Sequence, residues 1–221
     1  MDVGDAARAR RMVRSFSTRP LPPGALDQLL AGALRAPSAG NTRGTAWVVL
    51  EGSAETSRYW SAATTAHWRA GSRRWPGLSR APVVVLSLAS PAAYVARYAE
   101  PDKLRSSQDL GLGTSDARWP VPYWFADAAF GVMTLLLGAT SAGLGACFLG
   151  NFRAEGEVLR AIGAPAGWRL FGAVALGYPD GADPPSGSLR LHPPAGTMRL
   201  HYGHWGALRE RSDRPPDPAG G

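Results

Sequence analysis

Apolar residues recur at Leu26, Leu29, Leu30, Ala33 and Leu34, a spacing of i, i+3, i+4, i+7 and i+8 that predicts an amphipathic helix over Gly24–Arg35. Continuous apolar runs at Ala81–Ala89 and Leu170–Leu176 predict strands of a sheet interior. Shorter β-branched or aromatic runs predict strands at Ala46–Glu51 and Ala146–Leu149. Further helices are predicted at Ala6–Arg14, at Ser53–Gly71 with Tyr59, Trp60, Ala63 and His67 on one face, at Pro91–Tyr98, at Trp124–Ala142, and at Ala154–Ile162 with Val158, Leu159 and Ile162 inward. Glu100–Pro122 is polar and without clear period, and reads as a mobile excursion of the lid type. Asp180–Pro194 reads as a loop, Arg199–Leu208 as a short terminal element, and the Pro- and Gly-rich end as disordered. Helices interleaved with about four strands indicate a mixed layered fold.

Ala128–Phe152 carries no charged residue. Its length would cross a bilayer, but five glycines, Thr140, Ser141 and the break at Gly143-Leu144-Gly145 divide it into a helix and a strand. The expectation is a helix buried on all sides, in a core or a subunit interface, and no membrane span. At 221 residues with 45% hydrophobic content, one domain over residues 1–210 with a disordered tail at 211–221 is expected.

The net charge of +7 and the single lysine, Lys103, make this an arginine-basic chain. Its arginines are scattered, without a basic run or zinc-finger pattern, so no nucleic-acid partner is expected. Cys147 stands alone, which excludes an intrachain disulfide and fits a reducing cytoplasm. The four histidines form no metal-ligating pattern, and no metal is expected. The acidic opening Met1–Asp5 is not a secretory signal, so the expected location is cytoplasmic. No G-x-S-x-G elbow, Walker loop or dinucleotide fingerprint is present.

Three stretches carry candidate chemistry. Arg10-Arg11-Met12-Val13-Arg14-Ser15-Phe16 places Arg10 and Arg14 at i and i+4, on one face of the predicted helix, where guanidinium groups suit a phosphate. In Ala36-Pro37-Ser38-Ala39-Gly40-Asn41, Pro37 disfavours helix at Ala36 and Gly40 permits unusual angles, so Ser38 and Asn41 sit on irregular backbone open to a ligand. The third runs from Asp127 through Gly-Leu-Gly to Cys147-Phe148-Leu149-Gly150.

Together these resemble the nitroreductase family, in the same order and over most of the chain, from about Arg10 to Trp205. The first is similar to R-R-S-V-R-x-F, with Met12 where serine is usual. The second is similar to A-P-S-A-G-N-x-Q-P-W-x-F-V-V, with Arg43 for the glutamine, Gly44 for the proline and Thr45 for the tryptophan. The resemblance implies an α+β, three-layer fold with a central mixed, mainly antiparallel sheet flanked by helices, in an intertwined homodimer with FMN at the interface. It implies that Arg10, Arg11, Met12 (through its backbone) and Arg14 hold the ribityl and phosphate of FMN. Pro37, Ser38, Ala39 and Asn41 meet the flavin, with Arg43 at the substrate mouth. Phe148 and Leu149 cover the ring, a backbone N–H of Gly150 or Asn151 meets N5, and Arg190 reaches the phosphate. It further implies electron transfer from NADH or NADPH through FMN to a small oxidised acceptor such as a nitroaromatic or quinone, with no catalytic side chain assigned. A non-catalytic flavin carrier or sensor, or a flavin oxidase or dehalogenase on the same fold, are the alternatives left open.

Overall fold

The computed structural model describes residues 1–71, 75, 77–107, 110–151, 154–183 and 201–206. Met1–Asp183 form one compact unit, and Pro184–Gly221 form a second. In the second, the His201 ring lies 4.2 Å from that of Trp205, and its Nδ1 accepts from the Gly206 N–H at 3.0 Å. The expected loop beyond Asp183, Arg190 and the tail over 211–221 lie outside the described residues.

Four strands, β1 (Thr45–Glu51), β2 (Val83–Ala89), β3 (Gly145–Leu149) and β4 (Arg169–Gly177), form one sheet in the order β1-β2-β4-β3. Every strand pair is antiparallel. A parallel bridge from Met12 to Ala146 adds the mixed character the resemblance implied. Every residue of β2 is buried, as its unbroken apolar run requires of a central strand. The strands alternate between two cores. Val84, Leu86, Leu88, Cys147, Ala173 and Ala175 join Tyr59, Trp60 and Val158 on one face. Val83, Val85, Ala146, Val174 and Leu176 join Leu29, Ala33, Val132, Leu135 and Leu136 on the other. The helices that cover these faces are α2 (Ala25–Ala33), α3 (Gly52–Ala63), α7 (Tyr123–Ser141) and α8 (Glu155–Ala161). The result is helix, sheet, helix, the expected three layers.

The remaining helices are α1 (Val3–Ala9), α4 (Ala66–Gly71), α5 (Pro91–Tyr98) and α6 (Pro101–Ser107). Ser90 caps α5 through its side chain, and Pro91 takes the first turn, where no N–H is missed. Gly143, at φ +71°, ends α7 in a left-handed turn, and the Leu144 N–H reaches back to the Ala139 carbonyl at 2.8 Å.

Four expectations are corrected. The first helix is Val3–Ala9, not Ala6–Arg14, and Arg10 leaves it at ψ 124°. The chain from Arg10 to Phe16 runs extended because it pairs with the sheet, through the Val13 N–H to Ala146 at 2.9 Å and a bridge from Phe16 to Pro179. With the helix gone, Arg10 and Arg14 are no longer neighbours on one helical face. The helix expected over Ser53–Gly71 breaks at Thr64, whose hydroxyl bonds the Trp60 carbonyl while the Arg69 guanidinium caps Trp60 and Thr64 carbonyls. The excursion at 100–122 contains α6 and a 3-10 turn at Asp116–Arg118. Trp119 anchors it, buried beside Tyr94, Tyr98 and Trp124, with its indole N–H on the Leu112 carbonyl at 3.0 Å. Finally, α7 is long and apolar enough to cross a membrane by length and composition, yet it packs on the sheet, and it is not buried all round. Phe130 and Met133 are exposed at 50% and 41%, and Leu34 after α2 at 67%.

Gly172, in β4, lies against Phe148 and the Leu149 carbonyl, which an added Cβ would approach to 2.5 and 2.7 Å. The carbonyl is strand backbone and cannot move aside. Gly172→Ala is therefore expected to cost about 1–3 kcal/mol or more, read as a lower denaturant midpoint at unchanged slope. An unshifted midpoint would mean that β3 and β4 separate freely here.

Candidate functional site

The Ala36–Asn41 stretch forms the turn its sequence demands. Helix α2 ends, Ser38 is extended, and a 3-10 turn spans Ala39–Asn41 with Gly40 at φ +62°. Asn41 and Arg43 also stand at positive φ, +54° and +53°, which non-glycine residues rarely adopt. Such angles persist only when the surroundings hold them. Here the Ser38 carbonyl accepts from the Asn41 N–H at 2.9 Å, and the Ser38 hydroxyl oxygen accepts from the Arg43 N–H at 3.0 Å. Arg97 of α5 donates to the Gly40 carbonyl at 2.9 Å. Asp102 and Glu100 fix that guanidinium at 2.7 Å each, and the Arg97 hydrogen bonds hold the Asp102 carboxyl down at about 2.

The deepest brace is Asp127. It is 4% exposed on α7, and one of its oxygens accepts from the Ala39 N–H at 2.8 Å and from the Tyr94 hydroxyl at 2.6 Å. Burial first, and then the Asp127 carboxylate, push the Tyr94 phenol far above the ordinary tyrosine range. Tyr94 therefore stays a donor at any physiological pH. A cavity of about 620 Å³ opens beside this turn, lined by Pro37, Ser38, Asn41, Arg43, Trp47 and Asp127 among others.

A second cluster lies on the opposite edge of the sheet, along β3. Extended residues 10–14 run beside it, and the Phe148 N–H points to the Met12 sulfur at 3.4 Å. Arg11 is taken by Asp183 at 3.0 Å, and the same carboxylate oxygen accepts the Arg14 N–H at 2.8 Å. The Arg14 guanidinium donates to the Met12 carbonyl at 3.0 Å and lies 5.7 Å over the Trp75 ring. Arg10 and Arg14 pair with no carboxylate among the described residues. Beyond the strand, Asn151 accepts from the Tyr59 hydroxyl at 3.0 Å, which fixes its side chain. Phe148 packs on Phe171 at 5.2 Å, and Phe171 on Phe125 at 5.8 Å. Burial pushes the Tyr59 phenol up to about 12 and the Cys147 thiol to about 11, so neither ionises near neutrality.

The structure thus gathers the expected residues into two groups. Pro37, Ser38, Ala39, Asn41 and Arg43 stand together before β1, and Met12, Arg14, Phe148, Leu149, Gly150 and Asn151 stand together at β3, with β2 and β4 between. Sequence reasoning missed the residues that brace each group. Asp127 had a visible signal, a lone acid opening an otherwise charge-free helix. Tyr59, Tyr94, Arg97 and Asp183 act across long separations that no local pattern announces.

A family model described as the Nitroreductase family matches residues 7–178. Among solved structures, a nitroreductase family protein from Clostridium novyi NT superposes with a TM-score of 0.62 at 19% identity, covering 84% of this chain and 89% of that one. A protein described as a nitroreductase in complex with FMN, from Desulfovibrio desulfuricans, gives 0.61 at 22% identity over 84% and 91%. Oxidised iodotyrosine deiodinase bound to FMN and 3-iodo-L-tyrosine gives 0.64 at 20% identity over 92% and 100%.

Two outcomes are expected from this geometry. Asp127→Ala leaves the Ala39 N–H and Tyr94 hydroxyl without their acceptor, and is expected to lower stability by about 2–5 kcal/mol in urea unfolding. Tyr94→Phe, which removes one of the two bonds, is expected to cost less. Cys147, 2% exposed and with a raised pKa, is expected to resist iodoacetamide in the native protein at about pH 8 and to react fully once the chain is unfolded.

Proposed function

Because this chain belongs to the nitroreductase family, we propose that it is an FMN-dependent oxidoreductase that takes electrons from NADH or NADPH and delivers them to a small oxidised acceptor such as a nitroaromatic or a quinone. Donor and acceptor use the same face in turn, a ping-pong order. Bound FMN would supply the redox chemistry, two-electron transfer between a nicotinamide donor and the acceptor, with protons drawn from solvent.

The observation that carries the reading is the β3 edge. Arg10 and Arg14 retain unmatched positive charge beside a strand end whose Phe148 and Leu149 are only partly buried. Arginines without acid partners suit a phosphate monoester, and half-buried apolar side chains next to them suit an aromatic ring system. The donor set therefore fits FMN. Arg14 and Arg10 would hold the phosphate, Gly150 and Asn151 would present backbone N–H groups to the ring, and Tyr59 would keep Asn151 in place.

The other expected flavin contacts, Pro37, Ser38 and Asn41, lie across the sheet from this edge. A second copy of the chain resolves the separation. The turn of one subunit would complete the β3 edge of its partner, giving two sites per homodimer. The exposed stripe of Phe130 and Met133 on α7, with Leu34 nearby, is the apolar surface such a dimer would cover. The single buried thiol fits a cytoplasmic setting.

The purified protein is expected to be yellow, to release FMN on denaturation, and to consume NADH or NADPH only when a nitroaromatic or quinone is supplied. A colourless protein that binds no added FMN would end the proposal. Arg14→Ala is expected to weaken FMN binding about 10- to 100-fold, the value of one charge-assisted bond, measured by flavin fluorescence titration. Phe130→Glu is expected to give monomers by analytical ultracentrifugation that have lost FMN in parallel. Monomers that keep FMN fully would refute a site shared between subunits.

A further inference from the structure

The cavity beside the turn has a charge pattern that the cofactor reading leaves unused. Arg35 and Arg43 both line it. Arg8, Arg11, Arg80, Arg97, Arg160 and Arg169 each have a carboxylate partner, whereas Arg35 and Arg43 pair with none among the described residues. The only acid in the lining, Asp127, spends one oxygen on the Ala39 N–H and the Tyr94 hydroxyl. Two cations therefore face the cavity against one carboxylate that is bound from behind.

Arg43 is also held in place at a conformational cost. Its backbone is left-handed at φ +53°, its N–H is fixed on the Ser38 hydroxyl, and its Nε lies 3.3 Å from the Asn41 side-chain oxygen. The terminal nitrogens of the guanidinium remain as donors. A strained, preorganised cation beside an open cavity is a mark of recognition rather than of packing. Beside the polar groups, the lining has apolar members in Ala33, Leu34, Ala36 and Pro37 and one aromatic, Trp47. At about 620 Å³ the cavity is of the size that takes small organic ligands.

We infer that this cavity selects acceptors that are aromatic carboxylates, with Arg43 as the principal recognition residue, Arg35 as the second cation, and the ring seated toward Trp47. The inference rests on the reading that the protein reduces small acceptors. It adds which ones: the same turn carries Pro37, Ser38 and Asn41, expected against the flavin, so an anion held by Arg43 lies beside the redox group. A guanidinium meets a carboxylate through paired, charge-assisted hydrogen bonds that a neutral amide of the same shape cannot match.

The test uses the FMN-loaded protein and two probes of equal shape, 4-nitrobenzoate and 4-nitrobenzamide. The wild type is expected to favour the benzoate by about 10-fold or more in kcat/KM, mainly through KM. The preference is expected to shrink as sodium chloride rises. Arg43→Gln is expected to bring the ratio close to one, Arg43→Lys to restore part of it, and Arg35→Gln to lower it partway, with rates corrected for flavin content. Benzoate itself, titrated calorimetrically, is expected to bind the wild type and to bind Arg43→Gln about 10-fold more weakly. A wild-type ratio near one, or a ratio unmoved by both substitutions, overturns the inference while leaving the proposed activity standing. If neither probe is reduced but benzoate still binds through Arg43, the proposed activity fails and the anion site stands. Substitutions that loosen the dimer without moving the ratio assign the arginines to subunit contact and overturn the inference.

Discussion

A carboxylate inside an otherwise uncharged helix holds the functional end of this protein together. Asp127 is buried on α7 and accepts from the Ala39 N–H and the Tyr94 hydroxyl, and a carboxylate taken out of water is tolerated only when such donors replace its hydration. That requirement works in both directions. The carboxylate needs the Ala39 N–H, so the turn must approach α7. The turn, once there, presents Asn41 and Arg43 at left-handed angles, which an asparagine adopts more readily than most residues and an arginine rarely does. Tyr94 brings α5 to the same point, and Arg97 one turn further along α5 takes the Gly40 carbonyl. Three elements far apart in sequence are thus fixed by one ion and one guanidinium, and the shape of the cavity follows from them.

The parts of the molecule legible in the sequence are those whose cause is local. The four strands and the helices at α2, α5, α7 and α8 appear close to where periodicity put them, because each buries a face large enough to dominate its own pattern. The turn was legible because Pro37 and Gly40 act on neighbouring backbone alone. The Arg10–Phe16 stretch was not. Its arginines and methionine favour a helix, and what overrides them is pairing with Ala146, over a hundred residues away. The excursion after Glu100 hid its helix for another reason. α6 is short, with Pro101, Asp102 and Leu104 exposed, and the segment is anchored instead by Trp119, whose partners lie on α5 and α7. The bracing residues Tyr59 and Asp183 were invisible in the same way, since a lone tyrosine or aspartate carries no sign of its distant partner.

The aromatic residues raise a related point. Eight tryptophans in 221 residues invite the reading of a binding surface. Trp119 and Trp124 instead join Tyr94 in a buried cluster, while Trp60 stacks with Trp68 at 6.1 Å on the opposite core. Aromatic packing is the commonest use of tryptophan, and here it ties the excursion to the body. From Trp124 the contacts continue through Phe125 and Phe171 to Phe148 at the β3 edge. The cluster that seats the excursion is therefore in continuous contact with the strand end expected to cover the flavin, so packing changes in one have a physical path to the other.

The excess of positive charge can be resolved in the same bottom-up way. A net +7 spread over a surface is a weak field, and no stripe of it follows a groove. Among the described residues, six arginines face their own aspartates and glutamates, several of them on exposed helices where the energetic return is small. What remains is positional. Of the described arginines without a carboxylate partner, Arg10 and Arg14 stand at the β3 edge and Arg35 and Arg43 at the turn, the two places where the sequence pattern put ligand contacts. Solvated unpaired cations repel one another only weakly and gain little from folding, so an anion bound between two of them is favoured without being required. The phosphate and the carboxylate proposed for these two pairs therefore rest on where the arginines stand and not on their being unpaired, since Arg19, Arg58, Arg69 and Arg118 also lack a carboxylate partner among the described residues and none of them lines the cavity.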